Sequence, residues 1–368
     1  VATNSYIVFA GGGTGGHLFP ALAVAGELRR RHSGASIVFV GGTRGLETRL
    51  VPKAGFPLRT LPVSGLKGAS PIGFLLAGAA AALGVLRCLG WFLARRPGLV
   101  VGVGGYASGP AVLAAWMLRV PTMLMEQNHF PGATNRWLAP RADAVCVPSD
   151  AAKARLNGIG LVTGNPVRPE FTSIGPSPNG TRLGLLVFGG SRGARSINRA
   201  MAAALPHLAA MAPPPHIVHQ TGVEEHLTVA DAYARHPGLD ADVRPFLDDM
   251  PARLANADLV VSRAGATTLA ELAAAGRPAI LVPFPFAADD HQRANAEAVR
   301  DAGAAILIED RELDGARCAA EIAALASDRP RRLGMAAAAR TLARPDAAQR
   351  IADVADALLE RKEPPRVS

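Results

Sequence analysis

Short runs of consecutive apolar residues alternate along this chain with stretches in which apolar side chains recur every three or four positions. The first run, Ser5 to Ala10 (SYIVFA), stops at a glycine cluster and predicts a buried strand. Helical spacing follows from His17 to Arg31, with Pro20 in the first turn, where proline is tolerated. Further strands are predicted at Ser36–Val40, Leu99–Val103, Thr122–Met125 and Ala144–Val147. The pattern restarts at Leu185–Phe188, with its own glycine loop and a helix from about Ala194 to Ala210. Later strands are predicted at His216–Gln220, Val243–Phe246, Leu259–Ser262, Ala279–Pro283 and Ala305–Ile308. Strand, loop and helix in alternation predict parallel sheets covered on both faces. The restart predicts two similar lobes. The fold class is therefore α/β: two Rossmann-like, doubly wound parallel-sheet lobes facing a cleft.

Two prolines in Gly164-Asn165-Pro166-Val167-Arg168-Pro169 break the pattern, which places one lobe over 1–164 and the next over 165–345. A last helix starts near Asp346. Its apolar positions Ile351, Val354, Ala355, Leu358 and Leu359 form one face, so residues 346–368 are expected to pack back on the N-terminal lobe.

The stretch Ile72 to Ala94 carries one charge, Arg87, and is flanked by Lys67, Arg95 and Arg96. Its length would permit a transmembrane helix. Its glycines and alanines, and a cation in mid-bilayer, count against spanning. A core helix and a membrane-surface patch are the other readings. Ile72, Phe74, Leu75, Leu76, Trp91 and Phe92, ringed by cations, are what a monotopic anchor on anionic lipid requires.

Composition narrows the picture. Apolar residues make up 49% of the 368, which excludes a disordered chain. Aromatics are only 5%, so the cores are built from Ala, Val and Leu. Cys88, Cys146 and Cys318 are far apart and odd in number, which fits a reducing compartment and argues against a disulfide scaffold. Val1 to Ala10 has neither a basic n-region nor a long apolar stretch, so no signal peptide and a cytosolic location are expected. The net charge of +9 is uneven. From Thr48 to Met125 there is no Asp or Glu, but there are Arg49, Lys53, Arg59, Lys67, Arg87, Arg95, Arg96 and Arg119. Such a stretch suggests an anionic partner: nucleic acid, a phosphorylated substrate or a membrane surface.

Candidate chemistry gathers at the glycine loops. Gly11 to Gly16 matches G-x-G-x-x-G between a strand and a helix, a place where backbone and helix start favour an anion. A dinucleotide site would need an acid at the end of the second strand. Val40-Gly41-Gly42-Thr43 has none, and no G-x-x-x-x-G-K-S/T occurs, so NAD-type and P-loop readings fail. His17, beside the loop, could act as a base or simply bond at the helix start. Ser191 sits in the second loop. Glu271, in Thr268-x-x-Glu271, could close a capping box or grip two ribose hydroxyls. Asp240-Ala-Asp242 resembles a metal-binding D-x-D, but its expected place is a polar turn. Asp289-Asp290-His291 is too small for a hard-cation cage, and His216 and His219 face opposite ways on a strand. No metal and no cofactor are expected.

Several stretches, in order and over nearly the whole chain, carry a resemblance: GGGTGGHLFPALAVA from Gly11, GGYASGP from Gly104, EQNHFPGATNRWLA from Glu126, TGNPVR from Thr163, GGSRGARSIN from Gly189 and SRAGATTLAELAAAGRPAILVPFPFAADDHQRANA from Ser262. The chain resembles the MurG family, bacterial N-acetylglucosaminyltransferases of peptidoglycan synthesis. That resemblance implies the glycosyltransferase B fold and an inverting, metal-independent transfer of GlcNAc from UDP-GlcNAc to the C4 hydroxyl of MurNAc in lipid I, giving lipid II. It implies that Thr14, Gly15 and Gly16 face diphosphates and sugars, that Asn128 binds the donor sugar, and that Arg168 and Ser191 contact the donor. It implies that Leu247 meets uracil through its backbone. Ala266, Thr267, Thr268, Leu269, Ala270 and Glu271 would wrap diphosphate and ribose, and Gln292 would read the GlcNAc hydroxyls. The Phe284–Asp290 run varies in the family, so Gln292 is placed from the Asn295-Ala296 that follows. His17 is the implied general base, with His291, Tyr106 and Asn198 as secondary contacts. The implied partners are UDP-GlcNAc, lipid I, an anionic membrane surface at the cytoplasmic side and proteins of cell-wall synthesis or division, and no nucleic acid. A UDP-GlcNAc 2-epimerase of the same fold type is the alternative enzyme, though its motifs have no match here. An inert membrane scaffold is the non-enzyme alternative, against which His17, Asn128, Glu271 and Gln292 all speak.

Overall fold

A strand that is apolar at every position must be covered on both faces, and β1 (Tyr6–Ala10) is buried throughout. Ile7 and Phe9 enter one core layer with Leu18, Val24 and Leu28 of the Gly15–Arg31 helix. Tyr6, Val8 and Ala10 enter the opposite layer with Val112 and Leu124, as a period of two dictates. The computed structural model describes residues 5–63, 71–176, 180–190, 193–287 and 290–360.

The chain folds as two compact units. One runs to Arg168 and resumes at Arg344; the other is Pro169–Ala343. Among the described residues the first unit holds β1, β2 (Ser36–Gly42), β3 (Leu58–Leu61), β4 (Leu99–Gly102), β5 (Thr122–Met125), β6 (Ala144–Val147) and β7 (Leu161–Val162). Their order is β3-β2-β1-β4-β5-β6-β7, and every pairing is parallel. The second unit holds β8 (Gly184–Phe188), β9 (His216–Gln220), β10 (Asp240–Arg244), β11 (Leu259–Ser262), β12 (Ala279–Leu281) and β13 (Ala305–Leu307), in the order β10-β9-β8-β11-β12-β13. Each sheet reverses its winding at one point, between β1 and β4 or between β8 and β11. The strand ends at such a switch point open a crevice for ligands. Each glycine loop leaves the sheet there.

The final helix, Ala347–Leu359, belongs to the first unit. Ile351, Val354, Ala355 and Leu358 join the layer of Ile7 and Phe9. Arg31 clasps it through Asp353 at 2.6 Å and Asp356 at 3.0 Å, and His32 lies 2.7 Å from Asp356.

Three strands depart from the sequence reading, and all three are sheet edges. β3 and β7 were not predicted, and β10 begins at Asp240 where a strand was predicted from Val243. An edge strand is half solvated, so it loses the apolar run that reveals a central one. The Asp240–Asp242 pair therefore lies in a strand, not in the expected turn.

The apolar stretch forms one helix, Pro71–Ala94. It packs against the Ser108–Met117 helix through Gly84, whose missing side chain lets Pro110 approach. Phe92, expected in the membrane patch, is instead buried to 1% exposure beside Cys88, one turn away on the same face. Trp91 is half-buried, with the Arg59 guanidinium 5.2 Å from its ring centre. Leu76, Leu83, Leu86 and Leu93 point outward, at 66%, 44%, 65% and 70% exposure, and Arg87 is exposed among them. Trp116 and Met117, at the end of the neighbouring helix, are exposed too. Arg95 lies over the Tyr6 ring, and Arg96 donates to the carbonyls of Leu118 and Arg119. Lys67 and the side chains of Ile72, Phe74 and Leu75 lie outside the described residues. Leu76–Ala94 is long and apolar enough to cross a membrane by length and composition.

Candidate active site

In the first unit the glycine loop is closed from within by a carboxylate. Gly11, Gly12 and Gly13 all have positive φ, a conformation open to glycine. Their N–H groups are already committed: Gly11 to Val40 O at 2.9 Å, Gly12 to Gly104 O at 3.3 Å and Gly13 to Glu47 Oε2 at 2.8 Å. Glu47 is 2% exposed and accepts Gly42 N–H at 2.8 Å through its other oxygen. A Cβ on Gly12, Gly41 or Gly45 would come within 2.6 Å of that side chain, so these glycines make room for it. The acid missing from the end of β2 is thus supplied by Glu47, but it ties two loops together and, at 2% exposure, is shut away from a ribose. The helix start follows, where Thr14 is the exposed N-cap and Gly15 and Gly16 open the first turn, and a helix start favours an anion.

His17 is the third residue of that helix. Its Nδ1 lies 2.8 Å from Gln127 Oε1. The ring sits over Gly104, where a Cβ would fall 2.8 Å from Nδ1. Gln127 follows β5, at 3% exposure, in the EQN segment. Its neighbour Glu126 organises the segment with two oxygens. One accepts Gln127 N–H, Asn128 N–H and Asn128 Nδ2; the other accepts Gly132 N–H and Asn135 Nδ2. Asn128 is thereby fixed near the same sheet end. Tyr106 is half exposed on the loop after β4, and Arg168 lies 5.1 Å from the Phe19 ring centre.

In the second unit Ser191 lies outside the described residues. Gln220, at the end of β9, donates to Gly190 O at 2.7 Å and accepts Leu247 N–H at 3.2 Å. Any backbone contact from Leu247 in this conformation must therefore use its carbonyl. The Ala266–Ala275 helix begins after Gly265, so Thr268 lies inside it, and Glu271 stands in its second turn rather than closing a capping box. Thr267 and Leu269 are buried, and Leu269 N–H bonds to Gly265 O. Ala266, Thr268, Ala270 and Glu271 are half-buried. His291 opens the next helix, and Gln292 Oε1 accepts Phe284 N–H at 3.0 Å. Asn198, expected as a secondary contact, is buried with its amide used internally: Nδ2 donates to Thr221 O and Glu225, and Oδ1 meets His219 Nε2.

The D-x-D pair is engaged by cations. Asp242 pairs with Arg244 at 2.6 Å and Arg253 at 2.9 Å, and the Arg244 hydrogen bond holds its pKa below the usual range. Asp240 pairs with Arg182 and with His216, both at 3.0 Å. Among the described residues no group of three or more His, Cys, Asp or Glu could hold a metal ion. Asp289 is outside them.

Residues 7–147 match the glycosyltransferase family 28 N-terminal domain, and residues 184–351 match its C-terminal domain. A UDP-N-acetylglucosamine--N-acetylmuramyl-(pentapeptide) pyrophosphoryl-undecaprenol N-acetylglucosamine transferase from Anaeromyxobacter sp. (strain Fw109-5) is 47% identical over 97% of this chain and 94% of that protein. The chain belongs to glycosyltransferase family 28, among the MurG transferases. A family member of the same description from Myxococcus xanthus (strain DK1622) is 44% identical over 95% of this chain and 91% of its own. The crystal structure of Acinetobacter baumannii MurG superposes with a TM-score of 0.77 at 31% identity, covering 97% of this chain and 99% of that one. A putative UDP-N-acetylglucosamine 2-epimerase from Listeria monocytogenes reaches a TM-score of 0.72 at 17% identity, covering both chains fully. At that identity the likeness is one of fold alone.

Glu47, Gln127, Glu126 and Gln220 were not singled out by the sequence. Glu126 and Gln127 directly precede Asn128 in a motif that was read for one residue. For Glu47 the signal was the glycines crowded at 41, 42 and 45, which mark a close approach.

Proposed function

We propose that this chain transfers GlcNAc from UDP-GlcNAc to the C4 hydroxyl of MurNAc in lipid I, giving lipid II with inversion and without a metal ion. The observation that carries this reading is His17, an imidazole held beside a glycine loop at a helix start by Gln127. The imidazole takes the proton of the sugar hydroxyl as its oxygen forms a bond to the anomeric carbon. The bond from that carbon to the β-phosphate breaks, and its electron pair leaves with UDP. Thr14, Gly15 and Gly16, at a helix start, face the acceptor's diphosphate, and the first unit is the acceptor lobe. In the second unit the start of the Ala266–Ala275 helix faces the donor's diphosphate and stabilises its developing charge. Glu271 holds the ribose, Gln292 reads the sugar, and Asn128, Arg168 and Ser191 complete the donor contacts. His291 and Tyr106 lie at the margins.

The acceptor is lipid-bound. The outward leucines of the Pro71–Ala94 helix, with Arg87 among them, support peripheral attachment to an anionic surface at the cytoplasmic face of the membrane. Proteins of cell-wall synthesis or division would meet the enzyme there.

The test is incubation with UDP-GlcNAc, a lipid I analogue and EDTA. Disaccharide formation is expected; none from folded protein sinks the transferase reading, and activity lost only with EDTA sinks metal independence. His17→Ala should lower kcat by about 10²-fold or more with UDP affinity unchanged.

A further inference from the structure

A neutral imidazole has two nitrogens and one proton, and only the bare nitrogen can act as a base. Which one is bare at His17 is decided by Gln127. Its Nε2 lies 3.3 Å from Val103 O and 3.4 Å from Met125 O, two backbone carbonyls that can only accept. Turning the amide over would point Oε1 at both carbonyls, three acceptors with no proton between them, and give up both Nε2 hydrogen bonds in a site 3% exposed. The amide is therefore locked, and Oε1 faces His17 Nδ1 at 2.8 Å. An oxygen can only accept there, so Nδ1 must carry the proton.

We infer that Gln127 is a positioning residue that fixes His17 as the Nδ1–H tautomer, leaving Nε2 as the proton-accepting atom of the transfer. The catalytic half of this inference rests on the reading of His17 as the base; the tautomer stands on the hydrogen bonds alone. Gly104 is the third member of the arrangement. It leaves room for the ring, since a Cβ there would fall 2.8 Å from Nδ1, while Gln127 holds that nitrogen. The partner is an amide rather than a carboxylate, so it orients the imidazole without supplying a counter-charge. When Nε2 takes the hydroxyl proton, both nitrogens become donors and the Gln127 contact persists. The new positive charge then stands beside the helix start proposed for the acceptor diphosphate, not neutralised by its own positioning residue.

The test uses the full chain labelled with nitrogen-15 in histidine. Long-range proton–nitrogen correlation spectra report which ring nitrogen is protonated, and His17→Ala identifies the His17 signals by their loss. The expected wild-type pattern in the neutral ring is a protonated Nδ1 and a bare Nε2; a protonated Nε2 overturns the inference. Gln127→Met keeps the volume and removes the acceptor. It should move the His17 pattern towards protonated Nε2 and lower kcat at least about tenfold, with the KM for UDP-GlcNAc within about twofold. An unchanged pattern together with an unchanged kcat in Gln127→Met also overturns it. Near wild-type kcat in His17→Ala, beside the expected wild-type spectrum, removes the base reading and leaves the tautomer assignment standing.

Discussion

Glu47 offers a perturbation whose size follows from the structure. Its carboxylate is buried and accepts Gly13 N–H and Gly42 N–H, each at 2.8 Å. Bonds to a charged acceptor contribute about 1.5–3 kcal/mol each. In Glu47→Ala the exposed Gly13 N–H recovers water, whereas the half-buried Gly42 N–H recovers less. The net loss should be about 3 kcal/mol. For a unit of this size that lowers Tm by about 6–12 °C. Glu47→Gln conserves volume but turns an amine towards one of the two N–H groups, and should lose about half as much. Thermal melts followed by circular dichroism measure both. Steady-state kinetics with a lipid I analogue add a second reading: loosening the loop should raise the acceptor KM several-fold while UDP binding stays constant. Melts within about 1 °C of wild type for both variants would refute the account of the loop. A weakened UDP affinity with an unchanged acceptor KM would show that the loop serves the other substrate.

Three further outcomes follow from other parts of the molecule. Gly104→Ala places a Cβ 2.8 Å from His17 Nδ1 at a backbone φ of +89°, so kcat should fall more than about tenfold with UDP affinity intact; normal turnover would contradict the placement of the ring. Burial lowers the His219 pKa from its ordinary 6.5 to about 3. Below pH 6.5 the unfolded chain takes up a proton that the folded one refuses, so this contribution falls with pH by about 1.4 kcal/mol per unit. The stability difference between wild type and His219→Gln, from urea unfolding, should thus shrink by about 2 kcal/mol between pH 6.5 and pH 5, and a pH-independent difference would contradict it. Leu83→Asp with Leu86→Asp should abolish co-sedimentation with anionic phospholipid vesicles while activity on a water-soluble lipid I analogue persists; undiminished sedimentation would place the membrane contact elsewhere.

The sequence was most legible where one residue type serves one purpose. Both glycine loops and the central strands β1, β4, β8 and β11 could be placed because continuous apolar runs ending at glycine have few other uses. The buried face of the last helix was equally plain from the spacing of Ile351, Val354, Ala355 and Leu358. Legibility failed where the partner is distant in sequence. Nothing local shows that Glu47 turns back to meet Gly13, 34 positions earlier. Phe92 looked like a membrane residue because composition cannot give the azimuth of a helix; packing on Pro110 and Val112 decides which face is inward. Asn198 carried a family motif, yet its amide serves His219 and Glu225 inside the fold. The motif recorded a constraint without saying whether a ligand or the core imposes it.

The discontinuous first unit has a consequence for how the protein is made. Ile351, Val354 and Leu358 lie in the same core layer as Ile7 and Phe9, so the first lobe is sealed by residues that follow the second in sequence. A ribosome emits the start first and domains tend to fold as they emerge. Here the continuous Pro169–Ala343 unit can complete its core while the earlier one still waits for its closing helix. During that interval the layer beneath Leu28 and Val24 is open, and the growing polypeptide carries an unfinished apolar surface until the Ala347–Leu359 helix has been made.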